Sequence, residues 1–440
     1  MKSYFFRIIA ALAIVATINT GAVGQTRPRT DMEAASGKRA VLVNNIGSSR
    51  LTLGGYGEMV MQRLYYSNDV ARYSYPGTYK DSKSGSFDLP HVVFYVAYDL
   101  GRGWRMSSEI EFEHGGTGAT YEIENEESGE YETEIERGGE VALEQFWLEK
   151  SWNRAANLRM GHIVVPVGMG NMHHLPTEFF QNMRPLESQI LPFTWHETGV
   201  SFLGAAGQWS YELQFIAGLD AERFGASGWI NGASNSPYEY KLASNGAVAA
   251  RVDNTPLKGL RIGMSGYYGH SAANTMKPVR YEGLKGAVSI GTVDAQWQSD
   301  ALLARANFIY GHLDDSYRIS TVNKRLPSAS PSPRTDVASD ALSWYAEAGY
   351  NVLPLLCKHP DRDSRLYLFA HYGYLAPMYK TADGISAKKW CERTVISFGA
   401  NWFPVQELVI KAEYTLQKLD KPYNNEPALS FGVAYSGFFR

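Results

Sequence analysis

Six residues able to take part in ligand or proton chemistry fall within one short stretch: His173, His174, Glu178, Arg184, Glu187 and His196. Histidine pairs with a carboxylate are the donor types of zinc sites. Adjacent histidines on an extended chain project in opposite directions, however, so the expected metal and cofactor content is none. A polar constriction suits the same residues better. Arg184 and partly protonated histidines would set the local field there. No serine, histidine and aspartate carry a recognisable nucleophile signature, so an enzyme is not expected.

A second set of charges recurs at alternate positions of apolar runs: Arg105, Glu109, Glu111, Arg159, Arg251, Arg261, Arg305, Glu347, Lys411 and Glu413. In 104–114, Trp104, Met106, Ile110 and Phe112 point one way, while Arg105, Ser107, Glu109, Glu111 and Glu113 point the other. The same period of two sets Trp209, Tyr211, Leu213 and Phe215 against Ser210, Glu212 and Gln214. It also sets Leu408, Ile410, Ala412, Tyr414 and Leu416 against Val409, Lys411, Glu413, Thr415 and Gln417. Such alternation is a strand with one apolar face.

The elements that must position these charges are strands over 51–66, 87–100, 104–114, 140–152, 157–167, 194–204, 208–218 and 246–254. Eight more are expected over 260–270, 286–297, 301–312, 341–352, 365–374, 393–403, 408–418 and 427–439. Tight turns such as Gly101-Arg102-Gly103 and Gln298-Ser299-Asp300 alternate with long Gly/Ser/Asn-rich connections. That is the layout of an all-β, antiparallel transmembrane barrel of sixteen strands. In such a barrel these charges line the lumen and the apolar face meets lipid. Sixteen strands leave an aqueous lumen, whereas eight would be filled by side chains. Rings of charge then decide selectivity by their height, unless they pair along the wall and serve only its shape. A soluble sandwich or propeller would alternate too, but with shorter strands and less regular turns.

The amino terminus supplies the inside/outside sense. Lys2 and Arg7 precede the apolar run Ile8 to Ile18 and small residues ending at Gly24, which reads as a cleaved signal peptide over 1–24. Segment 25–50 reads as a periplasmic extension and 51–440 as the barrel, placing the protein in a bacterial outer membrane. Aromatics reach 13%, with 28 Tyr and 10 Trp beside 42 Gly, a composition suited to aromatic girdles and glycine-softened strands. The net charge of -3, or -5 once Lys2 and Arg7 are removed, gives no basic footprint for nucleic acid. The nine glutamates within 122–140 suggest a hairpin rising above the membrane, either a solvated acidic loop or a Ca²⁺-binding comb. Cys357 and Cys391 fall at opposite ends of strand 365–374, roughly 25 Å apart, so no disulfide is expected.

The stretch Arg159 to Gly204 carries Gly161, Pro166-Val167-Gly168, a long aromatic and basic loop, and Glu197-Thr198-Gly199. With the preceding Val141 to Leu148 it resembles the phosphate-selective porin O and P family, in particular porin-like members from Bacteroidota. The resemblance implies a sixteen-stranded porin, commonly a homotrimer among outer-membrane lipid and lipopolysaccharide, whose third external loop folds inward. Here that loop is 168–193. The implied function is a water-filled channel for small solutes, phosphate-like anions among them; the alternatives are a barrel-embedded enzyme and a structural or surface-binding barrel. One departure bears on the anion: Val164 stands where many members of the family carry a lysine.

Overall fold

The computed structural model describes residues 50–440 apart from 77, 81, 115–118, 126–130, 138–139, 185, 193, 235–240, 276, 328–329, 359–360, 362 and 440. The signal peptide and nearly all of the 25–50 extension lie outside the described residues.

The first staves are β1 (Leu51–Leu64), the short β2 (Ser84–Asp88), β3 (His91–Gly101), β4 (Trp104–Glu113), β7 (Glu140–Asn153), β8 (Ala156–Val164), β9 (His196–Ala206) and β10 (Trp209–Ala217). The ring continues through β11 (Gly246–Leu257), β12 (Leu260–His270), β13 (Ala287–Gln298), β14 (Leu302–Leu313) and β15 (Asp340–Asn351). It ends in β16 (Arg365–Lys380), β17 (Arg393–Val405), β18 (Leu408–Lys418) and β19 (Glu426–Phe439). Every pairing is antiparallel, and β1 runs beside β19 from Leu53↔Phe439 to Leu64↔Ala428, closing the sheet. β2 and β3 lie end to end along β1, so the 17-stranded sheet is a barrel of sixteen staves. Closure leaves the ring without an unpaired strand edge, the condition that a sheet must meet to span lipid.

The expected strands and the observed ones agree to within a few residues, except that β16 continues past the expected end at 374 to Lys380, and two of the departures have local causes. The expected strand 87–100 is interrupted at Leu89-Pro90, because proline has no N–H to give the ladder. The expected strand 157–167 stops at Val164, just before Pro166 and Gly168, whose φ of 83° turns the chain inward. The acidic stretch does form a hairpin, β5 (Ala119–Asn125) with β6 (Tyr131–Arg137), and its turn lies outside the described residues. Both cysteines are free.

Outward positions include Phe112, Trp209, Phe215 and Ile410, all exposed, as an apolar face awaiting lipid must be. The inner face departs from the open aqueous lumen expected. Part of it is packed by Leu219, Phe224, Trp229, Ile230, Ile319 and Val337 from long connections, set against Ile216, Ile290, Ile309 and Tyr345 of the staves. Those connections carry their own apolar residues, and folding back into the barrel removes them from water. Gly311 makes room for this packing: a Cβ there would stand 2.1 Å from the Trp229 ring.

Candidate functional site

The third connection, between β8 and β9, leaves the wall at Val165 and reaches the opposite wall. Lys411 on β18 donates to the carbonyls of Phe179 at 2.9 Å and Gln181 at 2.7 Å. The Asn182 backbone N–H donates to Glu413 at 2.7 Å, its side chain to Ser430 on β19 at 2.9 Å, and Gln181 to Glu347 on β15 at 3.0 Å. Phe180 stacks on Phe369 with centroids 5.1 Å apart and sits over Gly349, where a Cβ would meet its ring at 2.4 Å. Buried hydrogen bonds to charged groups are among the stronger ones, so several together hold the tip across the interior.

The root of the segment is held by a salt-bridge network on neighbouring staves. Arg251 NH2 lies 2.7 Å from Asp253 and 3.0 Å from Asp294, and Arg261 NH1 lies 2.8 Å and 2.7 Å from the same carboxylates. Arg251 also donates to the carbonyl of Gly168 at 3.4 Å. Elsewhere Arg159 pairs with Glu149 at 2.7 Å over the Trp147 ring, and Arg305 pairs with Glu347 at 2.8 Å. Arg105 stands opposite Asp99 and Glu149 in register. Most of the basic residues assigned to the lumen are thus matched by carboxylates on adjacent staves, the arrangement that supports a wall rather than a bare ring of charge.

The six loop residues do not form one site. His173 faces Glu178 at 3.9 Å, while His174 points the other way to Glu109 at 3.9 Å, as adjacent side chains must. Glu187 is buried against Gly170, whose missing side chain admits it: a Cβ would stand 2.1 Å from the carboxylate. Arg184 lies 3.1 Å from His91 Nε2 and 3.8 Å from Glu111, and donates to Thr194 at 3.2 Å. His91 in turn bonds Glu111 and stands 3.8 Å from Glu58. The one arginine of the segment therefore faces carboxylates.

Residues not anticipated complete this corner: Tyr56, His91, Glu144 and Gln145. Glu144 turns inward because β7 carries a bulge against β4, where Glu109 pairs with Gln145 and Ile110 with Leu143. The exposed set Val141, Leu143, Phe146 and Leu148 records that bulge, since its spacing slips from two to three. His196 begins β9 with Nε2 3.6 Å from Glu144 Oε1.

No protein-family model matches the chain. It is 25% identical over 382 residues to an uncharacterised protein of Aquifex aeolicus (strain VF5), an alignment covering 86% of this chain and 78% of that protein. Among solved structures it is similar to OmpF of Salmonella typhi, with a TM-score of 0.52 and 10% identity over 88% of this chain and 97% of that one. It is likewise similar to the outer-membrane channel DcaP of Acinetobacter baumannii, with a TM-score of 0.51 and 12% identity over 88% and 97%. The fold is that of the outer-membrane porins.

Proposed function

We propose that this chain is an outer-membrane porin whose channel for small polar solutes is narrowed by segment 168–193. The observation that carries this reading is the path of that segment, rooted between β8 and β9 and anchored on β15, β18 and β19 by Gln181, Asn182 and Lys411. A segment so held divides the cross-section and sets the width on either side of it, with His173, His174, Glu178, Arg184, Glu187 and His196 as the residues of the constriction.

The resemblance to the phosphate-selective porins implies an anion. A phosphate path needs a cationic contact that substrate can reach, and Arg184 is engaged by His91, Thr194 and Glu111. With Glu58, Glu109, Glu111 and Glu144 gathered beside it, the field at this corner favours cations. The outer membrane and the homotrimer that the resemblance implies belong to the same proposal, and native mass spectrometry from lipid nanodiscs counts the protomers.

Single-channel recording in planar bilayers tests the reading. The expected result is stepwise current, larger when 170–190 is replaced by a short Gly/Ser linker, with a reversal potential in a KCl gradient that shows cation preference. Conductance unchanged by the deletion would place the constriction elsewhere. Anion preference with phosphate block would restore the phosphate reading.

A further inference from the structure

Three buried atoms without a hydrogen-bond partner converge where β4, β7 and the inward segment meet: Glu109 Oε1, Glu144 Oε1 and His174 Nε2. Each is left over when its sibling atom is taken. The Gln145 amide donates to Glu109 Oε2, and the Tyr56 hydroxyl donates to Glu144 Oε2 at 3.4 Å. His174 Nδ1 lies 2.9 Å from the carbonyl of Asn171. A carbonyl only accepts, so this contact puts a proton on Nδ1 and leaves the neutral ring's lone pair on Nε2. The donor atoms of the three side chains all lie within 4.8 Å of one another. A fourth unpartnered atom, His196 Nε2, stands 3.6 Å from Glu144 Oε1.

We propose that His174, His196, Glu109 and Glu144 bind one divalent transition-metal ion of the zinc class, through two Nε2 atoms and one oxygen from each carboxylate. Two carboxylates brought together away from water need a shared positive partner, and burial makes its absence costly. Imidazole donors select zinc and its neighbours over Ca²⁺ and Mg²⁺, which prefer oxygen alone. Ligand atoms around tetrahedral zinc sit roughly 3.3 Å apart, so the three closest donors need to close by at most about 1.5 Å, within reach of side-chain torsions. The bonds from Gln145 and Tyr56 and the His174–Asn171 contact are the outer contacts that orient ligands in metal sites. The adjacent histidines do not share the ion. His174 alone turns toward it, and its partners come from the wall, brought there by the β7 bulge and the first residue of β9. An ion at this point would tie the inward segment to β4, β7 and β9.

The inference rests on the barrel and its bulge, not on conduction, so its failure leaves the channel reading intact. The test uses the full-length, tag-free barrel in detergent, stripped with a chelator and titrated with ZnCl₂ by calorimetry, with metal content measured by mass spectrometry after desalting. The expected stoichiometry is one zinc per chain. H174A and E144Q should each weaken binding by at least about 100-fold, more than loss of an outer contact does. H312A, at a histidine with a side chain 45% exposed and far in sequence from the cluster, should leave it unchanged. Co²⁺ should give tetrahedral visible bands in the parent that H174A lacks. E144Q keeps the size of the side chain and removes one of the clustered negative charges, so it carries the test if H174A fails to fold by heat-modifiable gel mobility. Parent affinity equal to that of the H174A/E144Q double variant would overturn the proposal. So would a carboxylic-acid C=O stretch that persists with zinc present, since a proton would then be the shared partner.

Discussion

Asp220 shows how far one residue depends on where the chain carries it. Its carboxylate caps a short turn, Ala221–Arg223, accepting from the Glu222 N–H at 2.9 Å. Burial in the folded connection raises its pKa to about 7. A folded-state value above the unfolded one means that the native state holds the proton more tightly. Its contribution is therefore complete below about pH 4 and is lost as pH rises toward about 7. D220N keeps the cap and cannot titrate. Urea unfolding should show the stability of the parent relative to D220N falling between about pH 4 and about pH 7 and level above; a flat difference would mean that water reaches the carboxylate. The cysteines give a second test at this scale. Cys357 is exposed, and burial pushes the Cys391 thiol up to about 12. Maleimide at neutral pH should label Cys357 alone in the folded barrel, and a non-reducing peptide map should find no linkage between the two. Rapid labelling of Cys391 would show that its connection opens.

At the scale of the element, the inward segment and the β7 bulge matter most. The segment is held at its tip by a buried lysine that satisfies two backbone carbonyls at once. K411M keeps most of the volume and removes both bonds, leaving two buried acceptors unsatisfied, a cost of about 2–4 kcal/mol. It should lower the unfolding free energy by that amount and open 168–193 to protease in the folded protein. Full stability with full protease resistance would show that the Phe180, Gln181 and Asn182 contacts suffice to hold the tip. The bulge was partly legible, because the apolar positions 141, 143, 146 and 148 slip out of period. A uniform alternation run back from Phe146 and Leu148 would instead put Glu144 outside, whereas one run forward from Val141 and Leu143 would put Gln145 there.

At the scale of the whole molecule, closure of the ring and its apolar outer face matter most. Twelve register pairs join β1 to β19, from Leu53↔Phe439 to Leu64↔Ala428, and they close the ring of sixteen staves. Removing 426–440 should abolish the heat-resistant folded band altogether rather than weaken it, because an open edge in hydrocarbon costs several kcal/mol per unpaired group. On the outer face, L213R should cost about 2–4 kcal/mol in a bilayer, since arginine near mid-depth must leave water. An L213R barrel as stable as its parent in lipid would reverse the sense assigned to β10.

What the sequence determined by itself was the strand: a period of two, a tight turn, another run, a long connection. From that pattern alone the sixteen staves, their antiparallel order and the separation of the cysteines followed, because each depends on neighbours along the chain; the closing pair joins the two ends of the chain and followed instead from the cost of an unpaired edge in hydrocarbon. The site was legible only in part. Period two says which face a side chain occupies, but not its height on the wall or its neighbour across the lumen, which depend on stagger between strands far apart in sequence. The tertiary structure therefore decided that Arg184 meets Glu111, that Lys411 holds Phe179 and Gln181, and that His174 meets Glu109 and Glu144. It also decided that the long connections return to bury Trp229 and Ile230 inside the ring, since only a closed wall offers them an apolar surface to cover.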